Sequence, residues 1–305
     1  MTNLKKNLAI MYKVFFRYKA GFRYLYYRYI VAQRITKWRT PLERNITHPN
    51  LSIHMLTCHR DAVLAAWSLA SYYASSKAIG HLTLHNDGSL TQAEIVMFKR
   101  LFPSATIVNA HNFFSEHRDA LREYPILKKF RSEFTGFQAK KIIDVYFEAK
   151  ADIILFLDSD LLWFKNPKEL VDAIDTNDVR TYTYMMSNHP ERIHVTFKDG
   201  SQTDDKTAEC NSGIILFHRD NYELGKVSTY ISRVDYLSKE SIFSDQACFG
   251  TVLEPVRILP RDTYFIKGGI TQDTVMRHYT GPSREKFYFY GINRIYKDIL
   301  KKGNV

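Results

Sequence analysis

Cysteine is scarce in this chain of 305 residues. There are three, Cys58, Cys210 and Cys248, widely separated, odd in number and never in a C-x-x-C pair. That argues against a disulfide framework and a cysteine-built zinc site, and it fits a reducing cytosol. Long apolar runs are also missing. A transmembrane helix needs about 20 mostly apolar residues, and no window supplies them. Near the N-terminus the apolar stretches are broken by Lys13, Arg17 and Lys19, so the unbroken apolar region of a secretory signal is not expected either. Internal repeats and low-complexity segments are absent. Residues 3–39 contain no proline and a single glycine, Gly21, which predicts a helix or helix pair.

What is present begins with charge. The formal net charge is +11, but its distribution is uneven. Residues 1–44 hold eleven Lys and Arg against one acid, Glu43, while the remainder carries 32 basic and 31 acidic side chains. The basic character therefore belongs to an N-terminal extension, and the body gives no reason to expect nucleic acid. In the extension, bases interleave with aromatics such as Tyr12, Phe16, Phe22, Tyr26 and Tyr29. Three readings follow: a membrane-interface segment, helices packed on the body with a solvated basic face, or a nucleic-acid contact. The aromatic interleaving favours an anionic membrane surface contacted through residues 1–40.

With 45% hydrophobic residues, the body has enough apolar material for a folded core. Leu51–Cys58 reads as a buried strand, Ala62–Ser75 as a helix and His81–His85 as a strand ending in the turn signal Asn86-Asp87-Gly88. Thr91 and Glu94 form a capping box for a helix over Gln92–Leu101. Ala105–Val108 reads as a strand, Phe137–Ala149 as a helix, and Asp152–Leu157 as a strand without polar interior. Thr181–Met186 and Gly213–His218 suggest further strands, with His189–Glu209 as a hairpin or loop between them. This alternation predicts an α/β fold with a mostly parallel sheet flanked by helices on both faces. Ligands in such sheets sit beyond the carboxyl ends of the strands.

Asp158-Ser159-Asp160 follows the apolar strand directly. Two carboxylates there cannot enter the core unpaired, but at the strand end both can face a cleft. Their hard oxygens suit Mn²⁺ or Mg²⁺, and a cation so held can grip a diphosphate. The pattern alone leaves other readings open: a strand-end turn, a solvated acidic edge, or a phosphate-ester hydrolase of haloacid-dehalogenase type with Asp158 as nucleophile.

The string ILFLDSDLLWFKNP resembles the metal-binding motif of GT-A fold glycosyltransferases, particularly those similar to family 8. Three further segments follow in that family's order. Asn211-Ser212-Gly213-Ile214 resembles N-[AS]-G-[VIL], Ser244-Asp245-Gln246 its D-Q element, and the stretch from His278 to Lys286 its H-[FY]-x-G-x-x-K segment. The resemblance covers residues 51–290. It implies metal ligation by Asp158, Asp160 and His278. Asp245 and Gln246 would lie at the reaction centre. Donor contacts would come from Ser159, Asn211, Ser212, Gly213, Gly281, Lys286 and Lys141, with Thr57, Cys58, His59 and Asp87 near the nucleoside. The family's small-x-Asp-x-x-Tyr signature after the first strand is absent.

The expectation is a helical extension over residues 1–45 and a Rossmann-like GT-A catalytic domain over 46–305. Its activity would be metal-dependent transfer, retaining in outcome, from a UDP-sugar to a hydroxyl of a glycan or lipid-linked acceptor, at the cytoplasmic face of a membrane. A non-catalytic binding protein on the same scaffold is the remaining alternative.

Overall fold

Ile153–Leu157 offers no polar side chain to water, so it must be covered on both faces. In the computed structural model, which describes residues 3–134, 136–235 and 244–302, it is a central strand. The strands are β1 (Leu51–Thr57), β2 (His81–Asn86), β3 (Thr106–Asn109), β4 (Ile153–Leu157), β5 (Leu161–Trp163), β6 (Thr183–Ser187), β7 (Cys210–His218), β8 (Val256–Ile258), β9 (Tyr264–Phe265) and β10 (Met276–His278). The main sheet runs β3-β2-β1-β4-β7-β6-β8, and β5, β10 and β9 form a small second sheet. Pairing is parallel from β3 to β4 and between β6 and β8; β7 is antiparallel to both its neighbours. This is the mostly parallel, helix-flanked α/β architecture expected.

The period-two alternation of strands assigns each face its residues. Ile153, Leu155 and Leu157 join one core, and Ile154 and Phe156 the other; β7 divides likewise, Ile214 and Leu216 against Ile215 and Phe217. Helices Ala62–Ser75 and Gln92–Leu101 cover the first face, and Pro125–Glu133, Leu224–Arg233 and Ser244–Val252 the second. The capping box is present, with Glu94 N donating to Thr91 Oγ1 and Thr91 N donating to Glu94 Oε2. Two boundaries differ from expectation. β7 begins at Cys210 and not at Gly213, so Asn211 and Ser212 lie in the strand and not before it. The stretch 189–209 contains a bridge from Thr196 to Gln202, a second from Phe197 to Val234, and a short helix, Asp205–Glu209.

The N-terminal extension breaks at residues 18–20, where Lys19 takes a positive φ of 48°, and forms a helix pair. Val14, Tyr24, Val31, Ala32 and Ile35 are buried in the same core as β1 and β4. Trp67 Nε1 donates to Ala32 O at 2.9 Å. The extension also packs on the C-terminal aromatics: Tyr24 meets Tyr288 and Tyr27 meets Tyr296, each with ring centroids 5.9 Å apart. Among the described residues, no helix is long and apolar enough to cross a membrane.

Beneath the sheet lies a buried imidazole chain. Ser52 Oγ is 2.8 Å from His54 Nε2, and His54 Nδ1 is 2.8 Å from His85 Nε2. Burial, then the cation Arg131, pushes His85 down to about 3. Burial, then His85 and nearby cations, lowers His54 well below the usual imidazole range. Both rings are neutral when folded but titrate near 6.5 when unfolded. The unfolded chain then binds more protons, so their stabilising contribution is complete above pH 6.5 and declines as pH falls toward 3. Between pH 7 and pH 5, His85 alone should remove about 2 kcal/mol. Urea unfolding at the two pH values, compared between wild type and His85→Asn, checks this: the acid loss should shrink in the variant.

Candidate metal and donor site

The pairing of the small sheet assembles the site. β10 lies antiparallel to β5, with His278 opposite Leu161, and Tyr279 N donates to Asp160 O at 2.9 Å. This register brings His278 to the two carboxylates that follow β4. His278 Nε2 lies 3.0 Å from Asp160 Oδ1 and 3.6 Å from Asp158 Oδ2. One ligand atom from each of the three residues lies within 4.8 Å of the others.

Strand β7 supports this cluster from beneath. His278 Nδ1 is 3.2 Å from Asn211 Oδ1; with that nitrogen donating, the ring is held so that Nε2 faces the carboxylates. A Cβ on Gly213 would stand 2.6 Å from His278 Cε1 and Nδ1. Glycine is therefore what allows the imidazole to lie against the strand. This gives the N-S-G segment a physical meaning: it seats the histidine.

Lys141, 2% exposed, reaches in from the helical stretch beginning at Phe137. Its Nζ lies 3.0 Å from Asp158 Oδ1, 3.3 Å from Asp245 Oδ2 and 3.0 Å from Ser212 Oγ, and it sits over the Phe156 ring at 4.4 Å. Ser212 Oγ donates to Asp245 Oδ2 at 2.7 Å. Asp245 and Gln246 occupy the first turn of Ser244–Val252, and Gln246 Nε2 is buried with no hydrogen-bond partner among the described residues.

Charge is distributed accordingly. Burial raises Asp158, and the lysine and histidine beside it only partly oppose that. Burial would raise Asp160 as well, but His278 and Arg284 together outweigh it and hold this carboxyl below its usual range. Burial lowers His278 and Lys141, yet the adjacent carboxylates prevail and leave both raised.

These groups wall a cavity of about 510 Å³ at the carboxyl ends of β1, β2 and β4. Of the residues singled out from sequence, it gathers Thr57, Cys58, Asp87, Lys141, Asp158, Ser159, Asp160, Asn211, Ser212, Asp245, Gln246, His278 and Gly281. Gly213 lies just behind, under His278. Two are not brought to the cavity wall. His59 turns outward to Glu94, with Nδ1 2.9 Å from Oε1. Lys286 lies over the Tyr18 ring at 4.8 Å, on the side of the N-terminal helices. The cavity lining contains Arg284 instead, two residues earlier. Counting from His278 along H-[FY]-x-G-x-x-K, the seventh position is Arg284, so the spacing itself was the overlooked signal. Arg60, Asp61 and Phe137, which carry no motif, also line the cavity, as do Lys140, next to Lys141, and Thr280, within the segment that begins at His278. Four cationic and five carboxylate side chains face one space, a balance suited to an anion bound together with a cation.

No protein-family model and no curated protein matches the sequence. Solved structures match the fold. Over 86% of its length the chain is similar to the bifunctional glycosyltransferase WbbM in its apo form, with TM-score 0.55 and 12% identity, and it spans 53% of that structure's chain. Over 83% it is similar to the galactosyltransferase LgtC in complex with donor and acceptor sugar analogues, with TM-score 0.52 and 14% identity, covering 96% of that chain. The shared feature is the GT-A fold, a mostly parallel sheet with flanking helices.

Proposed function

We propose that the chain is a metal-dependent glycosyltransferase, moving a sugar from a UDP-sugar to a hydroxyl of a glycan or glycolipid with retention of the donor's configuration. The observation that carries this reading is the convergence of Asp158, Asp160 and His278 on the cavity that Arg284, Lys140 and Lys141 also line. Two carboxylates and one imidazole, the latter oriented by Asn211, fit Mn²⁺, with Mg²⁺ the harder alternative. When bound, the cation would neutralise charge on the departing diphosphate.

The remaining roles belong to side chains. Arg284 supplies a forked donor to phosphate oxygens where the family resemblance has lysine. Gln246 has an unused buried N–H to offer beside the reacting carbon, and Asn211 and Ser212 line the sugar end. Thr57 Oγ1, buried at the end of β1 with no partner among the described residues, is available to the nucleoside. An inverting reaction needs a carboxylate free to take the acceptor's proton. Asp245 is engaged by Lys141 and Ser212, which favours retention.

The test is thermal unfolding with a panel of nucleotide sugars. A ligand at a hundredfold excess over Kd stabilises by about 2.7 kcal/mol, so UDP-sugars should raise Tm when Mn²⁺ is present and much less when it is not. Absence of protection by every donor would sink the reading.

The outer face of the N-terminal helices supports a membrane partner. Leu8, Tyr12, Phe16, Phe22, Tyr26, Tyr29 and Ile30 are exposed, seven of the twelve large hydrophobics so placed among the described residues. Around them stand exposed Arg17, Lys19, Arg23, Arg34 and Lys37. Apolar side chains ringed by bases suit an anionic bilayer, and this supports a peripheral enzyme at a cytoplasmic face. Phe16 and Phe22, 69% and 84% exposed, can be changed without touching the core. The double variant Phe16→Glu and Phe22→Glu should sediment at least about tenfold less with phosphatidylserine vesicles than wild type; equal sedimentation would refute this partner.

A further inference from the structure

The turn after β1 holds an arrangement that neither the family resemblance nor the metal cluster accounts for. Asp61 is buried, and its backbone N–H is fixed by Cys58 O at 2.9 Å. Its carboxylate is shared by two arginines. Arg60 Nε and Nη2 donate to Oδ1 and Oδ2 at 3.2 and 3.4 Å, and Arg284 Nη2 stands 2.7 Å from the same Oδ2. The two guanidiniums come from opposite ends of the chain, yet both line the same cavity.

We infer that Asp61 is a positioning residue, holding Arg60 and Arg284 as a two-arginine clamp for the diphosphate of the donor. The inference rests on the donor reading above and adds a part to it. Two like charges would separate without an anion between them, and Asp61 is that anion. Among the described residues, the other acid within ion-pair reach of Arg284 is Asp160, at 3.8 Å, and Asp160 is committed to the metal cluster. Two guanidiniums carry ten N–H donors, far more than one carboxylate can satisfy, and Arg284 Nε is buried with no hydrogen-bond partner among the described residues. The unit has a net charge of +1 and surplus donors, and it faces a cavity. It matches a ligand group with negative charge on several oxygens, not a neutral sugar or a base. The sequence Cys58-His59-Arg60-Asp61 stands where the small-x-Asp-x-x-Tyr signature is missing, so this chain devotes that turn to phosphate charge. Asp61 itself touches no reacting atom; it acts through the two arginines.

Binding of UDP and of uridine to the full chain in Mn²⁺ tests this, by calorimetry for UDP and ligand-observed NMR for uridine. Asp61→Asn should weaken UDP about tenfold, the loss expected when a charge-assisted contact goes, and leave uridine unchanged. Asp61→Glu should recover part of the loss. Unaltered UDP affinity in Asp61→Asn, or equal losses for UDP and uridine, would overturn the clamp while leaving the donor reading intact. If the wild type binds no UDP, clamp and donor reading fall together. Should Asp61→Asn not fold, Arg60→Gln decides: its side chain is 70% exposed, so it should keep the wild-type Tm and still lose UDP affinity severalfold, and unchanged affinity overturns the clamp.

Discussion

Asp160→Asn is expected to remain folded and to lose about 10³-fold in transfer rate, the scale of removing a principal electrostatic contact from a reaction centre. Asparagine keeps the shape of the side chain and discards its charge. That charge organises this end of the site: His278 lies 3.0 Å away, Arg284 lies 3.8 Å away, and together they keep the carboxyl ionised against its burial. Without it the cluster retains one carboxylate, Asp158, already engaged by Lys141 at 3.0 Å. Initial rates at saturating donor, with Mn²⁺ titrated, give the result. The variant should need far more Mn²⁺ and reach a lower plateau. A wild-type rate with wild-type metal dependence would remove Asp160 from the site.

The second large effect concerns stability. Lys141→Met keeps the apolar stem and deletes the ammonium. Asp158 and Asp245 then lose the cation that bridges them at 3.0 and 3.3 Å. Breaking a buried pair by removing one partner costs about 3–5 kcal/mol, because the surviving charge is stranded. The variant should therefore melt well below wild type in the presence of a chelator. In the proposed site Mn²⁺ would bring positive charge to the same Asp158, so it should stabilise the variant more than the wild type. Calorimetric melting of both proteins, with EDTA and with Mn²⁺, yields four values. Equal metal-induced shifts would show that Lys141 and the cation act on separate groups.

How far the sequence foretold the site depended on what each residue's neighbours could say. Asp158 and Asp160 were legible because a five-residue apolar strand ends where they begin, and the strand's burial dictates where its end points. Gly213 was legible as part of a segment, but its purpose emerges only with His278 beside it. Lys286 closes the segment that resembles H-[FY]-x-G-x-x-K, but its direction is decided by the turn at residues 281–283 and by Tyr18, which lies 268 positions earlier in the chain. Arg60 and Asp61 have no local pattern to announce them; only the meeting of β1 and the C-terminal segment gives them a cavity shared with Arg284. The small sheet was invisible for a different reason. Strands of three, three and two residues are too short for a period of two to register. In the extension, the basic and aromatic composition described the outer face well, while the buried Val14, Tyr24, Val31 and Ile35 are the part that composition could not separate from it.

The pairing of β5 with β10 has a consequence for how the protein matures. Asp160 and His278 are separated by 118 positions, so the imidazole can reach its carboxylates only after a long loop has closed. Contacts of such separation form late, because the entropy of closure is lost before the contact rewards it. A chain emerging from the ribosome presents Asp158 and Asp160 long before residue 278 exists. The cluster is complete only when these distant segments have met, so in the proposed metal site cation affinity would gauge finished folding.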